Sequence, residues 1–300
     1  MEYTWNTERE TERFFQLWDK RIHSGVRHTS DAWDQRAHHW DRELREDGKR
    51  QARSERRIAE TVSYLLSQGL LGPEDTVADI GCGPGRFVVE FARHAGHVTG
   101  VDLSPKMVEY GAAFAAEHGA DNVDFTACDF KTADTVALGW EGKFDLVFSS
   151  ITPAVSGREG FEKMERMSRG WCFNSSFVYA GDPVARAAME AVLPGARLPA
   201  MWDGRPFYAM FNILWLRGRF PQVRYYREQD VEHLPADREL VRRITERYPR
   251  EAITGAVSEG IYRWLMEHAG DDGAIDYPTE RWYGWVLWDV REQVDRDYSV

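Results

Sequence analysis

Val77-Ala78-Asp79-Ile80-Gly81-Cys82-Gly83-Pro84-Gly85-Arg86-Phe87 is an apolar run that stops at three glycines and resumes with helical spacing. It reads as a strand, a tight loop and the start of a helix. Glycine is needed where the backbone turns through positive φ, or where a ligand approaches the main chain with no Cβ in the way. Three glycines at alternate positions, Gly81, Gly83 and Gly85, therefore point to a ligand cradle rather than an ordinary turn.

On the C-terminal side the pattern repeats. Val98 to Val101 is a second short apolar run ending in Asp102, followed by a helical stretch from Pro105 to Glu117 with proline suited to its first turn after Ser104. Val123 to Cys128 forms a third run ending in Asp129, and Phe144 to Ser149 a fourth. Strands alternating with helices at this spacing indicate βαβ units and a parallel sheet with helices on both faces. Ligands of such sheets bind beyond the carboxyl ends of the strands, where the polar residues named here lie.

The chemistry of those ends follows from their residue types. Asp102 comes 21 positions after Gly81, matching the acidic residue about 20 positions on that accepts hydrogen bonds from ribose hydroxyls. Asp129 is placed to accept from an exocyclic amine of a base, with Phe130 beside it for apolar contact. A dinucleotide site needs a final glycine that this chain replaces with Arg86. Asp79, inside the strand end, would repel a pyrophosphate and suits a cationic ligand. A nicotinamide-dependent oxidoreductase is accordingly the weaker reading.

Taken in order, Asp79-Ile80-Gly81-Cys82-Gly83-Pro84-Gly85, Val101-Asp102-Leu103-Ser104-Pro105-Lys106-Met107, Cys128-Asp129-Phe130 and Phe144-Asp145-Leu146-Val147 resemble the class I S-adenosylmethionine-dependent methyltransferases over residues 75–150. The resemblance implies an α/β, Rossmann-like fold: a seven-stranded, mostly parallel sheet with an antiparallel last strand and helices on both faces. It also implies S-adenosyl-L-methionine as cofactor. Asp79 with Gly81, Cys82, Gly83 and Gly85 would hold the methionine part, and Asp102 the ribose. Leu103 and Met107 would flank the adenine, and Asp129 with Phe130 would contact it. Ser149, at the fourth strand, joins the expected cofactor set. The exit Ser149-Ser150-Ile151-Thr152-Pro153 lacks the acidic or amide residue, Pro-Pro and aromatic of amino-methylating DNA enzymes.

Outside this core the chain is expected to divide into an N-terminal helical extension or lid (1–70), the cofactor-binding core (71–180) and a remainder with helical insertions covering the substrate (181–300). In the extension, Phe14, Phe15 and Trp18 share one side of a helix from Thr7 to Lys20, and Ser30-Asp31 reads as an N-cap before Trp33, Ala37 and Trp40. Arg36 is a candidate lid residue. His38 and His39 are adjacent and cannot point the same way on a helix, so no metal site is expected. Later, Gly170 to Tyr179, Pro221 to Glu228 and Glu280 to Val290 read as strands five to seven. About 50 residues separate the last two, with helices expected over Val231 to Tyr248 and Val257 to His268. Pro206 to Trp215 is a dense apolar helix.

A net charge of −11 lacks the basic footprint of a nucleic-acid protein, which argues for a small-molecule partner. Cys82, Cys128 and Cys172 form no CxxC pair, which favours a reducing, cytoplasmic setting; with no long apolar run, a membrane span is not expected. The acceptor is expected at Ser150 and Thr152, walled by Tyr208 and Phe211 with Trp202, Phe207 and Trp215. His233 and Tyr208 are the candidate bases. The alternative function is a non-catalytic S-adenosylmethionine-binding sensor or partner protein.

Overall fold

The computed structural model describes residues 6–19, 29–35, 37, 48–195, 204–246, 248 and 252–295. Arg36, His38, His39, Trp40 and Trp202 lie outside the described residues. The elements are α1 (Thr7–Asp19), α2 (Gly48–Ser67), β1 (Thr76–Ile80), α3 (Arg86–Ala92), β2 (His97–Asp102), α4 (Pro105–Glu117), β3 (Val123–Ala127) and β4 (Phe144–Ser150). They continue as α5 (Gly157–Met167), β5 (Ser168–Gly181), α6 (Pro183–Val192), α7 (Arg205–Leu216), β6 (Gln222–Pro235), α8 (Arg238–Thr245), α9 (Gly255–His268) and β7 (Ala274–Asp289).

The strands form one 7-stranded sheet in the order β3-β2-β1-β4-β5-β7-β6. β1 pairs in parallel with β2 and β4, β2 with β3, and β4 with β5. β7 runs against its neighbours. The Val290 N–H, just past β7, donates to the Gly170 carbonyl near the start of β5, and the Ala236 N–H, just past β6, donates to Gly273, just before β7. The order reverses between β1 and β4, so the switch point beyond which ligands of such sheets bind lies at the carboxyl ends of these two strands, as the expected fold requires.

Two compact units divide the chain. The first comprises Met1–Ser176, Arg205–Arg224 and Trp285–Val300, and the second Phe177–Gly204 and Tyr225–Gly284. In the first, β1 and β4 are almost wholly buried and bring Val77, Ile80, Leu146 and Phe148 into the core. Phe148 stacks on Phe173 of β5 with ring centroids 5.0 Å apart, and α3 lays Phe91 against it at 4.9 Å. On α1, Phe15 and Trp18 both pack edge-on to Phe161 of α5. In the second unit, α6, α8 and α9 bury Ala188, Met189, Leu240, Ile244, Ile261 and Leu265 in their own cluster. Tyr277 there donates to Asp182 at 2.6 Å, satisfying a buried hydroxyl.

Three expectations are corrected. The strand expected to end at Glu228 continues to Pro235, so Val231 to Pro235 is strand, and the helix expected there is only Arg238–Thr245. β7 begins at Ala274, leaving residues 236–273, rather than about 50, between the last strands. The cap of the N-terminal segment is Thr29, whose Oγ1 accepts from the Ala32 N–H at 3.4 Å, one residue before Ser30. β6 is the edge strand, and its most deeply buried residue is a glutamate, Glu228, so it shows no clear apolar alternation.

Phe125 of β3 explains the spacing of three glycines. A Cβ at Gly85, Gly100 or Gly111 would come within 2.9, 2.7 or 2.6 Å of its ring, so α3, β2 and α4 close on this side chain only because those positions are bare. Gly111 lies inside α4, where alanine ordinarily gains about 0.5–1 kcal/mol. Here the sign should reverse. Gly111→Ala is expected to lower stability by about 1–3 kcal/mol, the usual overpacking cost, measured by denaturant unfolding. An unchanged or raised midpoint would show that Phe125 swings aside freely.

Candidate active site

The glycine loop hangs on β2. The Gly81 and Cys82 N–H groups donate to the Val101 carbonyl at 2.7 and 3.0 Å, and Gly81, Gly83 and Gly85 have φ of 74°, 53° and 72°. At Gly81 a Cβ would sit 2.0 Å from Thr152 Oγ1, so the exit of β4 lies directly on the loop. At Gly83 a Cβ would meet nothing within 4 Å, and that face of the loop is open. Gly85 takes over the close-packing role that Arg86 cannot serve, one position early.

A buried acid and a half-buried one lie under the loop. Asp79 is 2% exposed and its Oδ2 has no hydrogen-bond partner. Burial, then the charge of Asp102, pushes its carboxyl well above the usual carboxylate range. Asp102 is occupied: Oδ2 accepts from Gly83 N–H at 2.9 Å and Oδ1 from Ser104 N–H at 2.9 Å. Burial raises its pKa, while hydrogen bonds from Ser104, Gly83 and Leu103 oppose the shift. Asp102 thus orients the loop. An unpartnered buried carboxylate is costly unless a cation or donor meets it. The chemistry of the pair fits a cationic ligand with hydroxyls, and Asp79, Asp102 and the open Gly83 face are the residues that could hold the ammonium, sulfonium and ribose of S-adenosylmethionine.

Beyond Asp102, Ser104 caps α4 by accepting from Met107 N–H at 3.1 Å. Met107 is buried and Leu103 half-buried. Asp34, from residues 30–35, accepts from Ser104 Oγ and, at 3.3 Å, from Lys106 N–H. This contact of the N-terminal extension has no sequence signature, because Asp34 and Ser104 are 70 positions apart. On β3's exit, Asp129 is exposed, Phe130 is buried, and Asp129 Oδ1 accepts from Lys131 N–H at 3.0 Å.

The fourth strand end separates residues that sequence reading grouped. Ser149 is fully buried and accepts from Asn174 Nδ2 at 2.8 Å, so its hydroxyl is turned to β5. Ser150 is half-buried and paired in register with Ser175. Ile151 has φ 53°, a strained setting for a β-branched residue, and its N–H donates to Ser175 O at 2.8 Å. That strain aims Thr152 back over Gly81.

Tyr208 and Phe211 lie on α7, whose packing partner is α1. Tyr208 is exposed and meets Phe14 edge-on at 5.7 Å, while Phe211 stacks with Trp215 at 6.2 Å. His233, in the second unit, is exposed and bonded through its two ring nitrogens to Asp272 at 2.7 Å and Asp276 at 2.8 Å. Those carboxylates raise its pKa, which favours imidazolium over a free base. Burial raises the thiol pKa of Cys82 and Cys172 well above normal, and burial with Asp129 raises that of Cys128, so none is a ready thiolate. Among the described residues no group of three or more His, Cys, Asp or Glu could hold a metal.

Residues 71–179 match the model of a methyltransferase domain family. A 23S rRNA (uracil(1939)-C(5))-methyltransferase RlmD of Hahella chejuensis is 34% identical over 112 residues, 36% of this chain and 24% of that protein. Its counterpart in Alcanivorax borkumensis is 32% identical over 134 residues, 43% of this chain and 28% of that protein. The chain thus spans about a quarter of the length of the curated relatives it matches. Among solved structures, geranyl diphosphate C-methyltransferase of Streptomyces coelicolor A3(2), in complex with Mg2+, geranyl-S-thiolodiphosphate and S-adenosyl-L-homocysteine, is 18% identical with a TM-score of 0.40, covering 77% of this chain and 75% of that one. Residues 71–179 are thus a methyltransferase domain, on a sheet of the kind that the resemblance to the class I S-adenosylmethionine-dependent methyltransferases implies.

Proposed function

We propose that the protein transfers the methyl group of S-adenosylmethionine to a small-molecule acceptor. The observation that carries this reading is the buried, unpartnered Asp79 carboxylate beside Asp102 under an open glycine loop, within the methyltransferase domain. When bound, the cofactor supplies a methyl carbon already activated by its sulfonium. The chain's task is then to hold donor and acceptor in line and exclude water, which can supply much of the rate. Asp79 neutralises the cationic end, Asp102 holds the ribose, and Thr152 with Ser150 orients the acceptor's polar group. Ser150 and Thr152 would hold the acceptor where its electron pair meets the methyl that the cofactor would supply, and the proton the acceptor loses would pass to solvent.

Two observations favour a small acceptor over RNA. The net charge of −11 opposes a phosphate backbone, and the rRNA enzymes match less than half of this chain, over 112 and 134 residues. With no ready thiolate, the acceptor itself supplies the nucleophilic atom. The test is incubation of purified protein and isotopically labelled cofactor with fractionated small-molecule extracts and, separately, with RNA. One labelled small compound, with demethylated cofactor formed in step, is the expected result. Label in RNA alone would overturn the small-acceptor reading, and cofactor held without turnover across the whole panel would favour the binding-protein alternative.

We assign the acceptor wall to α7. Tyr208→Ala is expected to raise the acceptor KM while leaving cofactor affinity unchanged and stability within about 0.5 kcal/mol, as for an exposed side chain. Unchanged acceptor kinetics would place the acceptor elsewhere.

A further inference from the structure

Lys163 is a buried lysine on α5, with its side chain 7% exposed. Its ammonium donates to the Phe130 carbonyl at 3.1 Å and the Lys131 carbonyl at 2.5 Å, and pairs with Glu159 Oε1 at 3.2 Å. All three of its protons therefore have acceptors. A lysine is seldom buried this deeply unless it is paired, and here two of its three partners are main-chain carbonyls of the segment leaving β3.

That segment is held from the other side by its own turn. Asp129 Oδ1 accepts from Lys131 N–H at 3.0 Å, and the Asp129 carbonyl accepts from Thr132 and Ala133 N–H at 3.0 and 2.8 Å. Lys131 is thus pinned at its carbonyl by Lys163 and orients the Asp129 carboxylate with its N–H. Oδ1 is engaged, which leaves Oδ2 for a ligand. Phe130, between them, is buried with its carbonyl in the same grip.

We propose that Lys163 is the positioning residue that sets adenine recognition, by clamping the Phe130 and Lys131 carbonyls so that Asp129 presents a carboxylate oxygen to the 6-amino group. This rests on the reading that the cofactor's adenine lies at Asp129 and Phe130. Lys163 touches neither cofactor nor acceptor. Removing its ammonium orphans two carbonyls and frees the turn, so the carboxylate no longer sits at a fixed distance from the amine.

The experiment is calorimetric titration of the full chain with S-adenosylhomocysteine and with its analogue bearing unsubstituted purine, which lacks the 6-amino group. Wild type is expected to prefer the adenine compound by about tenfold, the worth of one charge-assisted hydrogen bond. Lys163→Met should reduce that preference to about twofold or less, and Lys163→Arg, which keeps the donors, should restore most of it. If Lys163→Met fails to fold, Lys163→Gln, too short to reach both carbonyls, reads the same ratio. Lys163 serving only as a core prop would lower the melting temperature but leave the ratio intact in folded protein, and that result overturns the proposal. Equal binding of the two compounds by wild type overturns it also, with the cofactor reading standing. No binding of either compound by wild type overturns the cofactor reading and the proposal together.

Discussion

Asp79→Asn is expected to raise the melting temperature of the ligand-free protein at pH 8 and to weaken S-adenosylhomocysteine binding about 10- to 150-fold, the equivalent of about 1.5–3 kcal/mol for a hydrogen bond to a charged group. Both effects follow from one side chain that is 2% exposed, with an oxygen that nothing in the protein meets. In the ligand-free protein burial favours the protonated carboxyl, which the unfolded chain releases at pH 8, so the side chain costs stability and an isosteric neutral amide relieves that penalty. On the proposed function the carboxylate would face the ligand's ammonium in the complex, and the amide would lose that attraction. A lower ligand-free melting temperature, or unchanged affinity, would show that Asp79 is an ordinary structural acid.

The pH dependence has a definite sign. Asp79 has a folded-state pKa raised well above its ordinary 3.8, first by burial and then by Asp102. The folded state therefore holds a proton that the unfolded chain has released, and stability falls as pH rises from about 3.8 through the folded value, where the loss is complete. Affinity for the cationic ligand should move the other way, tightening as pH rises through that same folded value. Asp79→Asn should flatten both profiles. Parallel melts and titrations across pH, comparing wild type with the variant, check the two slopes separately.

How far the site was legible depends on whether its chemistry lies within one stretch of chain. Asp79, the three glycines and Asp102 are readable because a strand end, a loop and the next strand end are adjacent in sequence and their residue types are demanded by geometry. The lengths of β6 and β7 were not readable, because an edge strand with Glu228 as its most deeply buried residue carries no alternating apolar signal. Asp34 on Ser104 and Lys163 on the carbonyls of Phe130 and Lys131 were invisible for a different reason: charged side chains that satisfy distant backbone or hydroxyl groups leave no periodicity. Ser149 and Ser150 looked alike as neighbours, yet alternation along β4 sends one hydroxyl to Asn174 and leaves the other beside Ser175.

Asp102→Asn should be the most damaging conservative change in the cofactor site, because that carboxylate does two jobs. Its oxygens accept from Gly83 N–H and Ser104 N–H, each at 2.9 Å, so it ties the glycine loop to the start of α4. An amide keeps one acceptor and sets an NH2 group against the other N–H, leaving that donor without a partner at a cost of about 1–3 kcal/mol. If the remaining lone pairs hold the ribose, a further loss appears only in binding. The two contributions separate with the 2′-deoxyribose analogue of S-adenosylhomocysteine. Wild type should favour the ribose compound, and Asp102→Asn should bind both more weakly by about 10- to 150-fold for the ribose form, with the preference erased. Should the variant lose affinity yet keep its preference for ribose, Asp102 is a scaffold for the loop and another group reads the hydroxyl. The outcome also bears on Asp79, because relieving the Asp102 charge lowers the folded pKa of its neighbour. The pH at which ligand-free stability levels off should therefore shift downward in Asp102→Asn, and an unmoved profile would mean that burial alone sets the Asp79 proton.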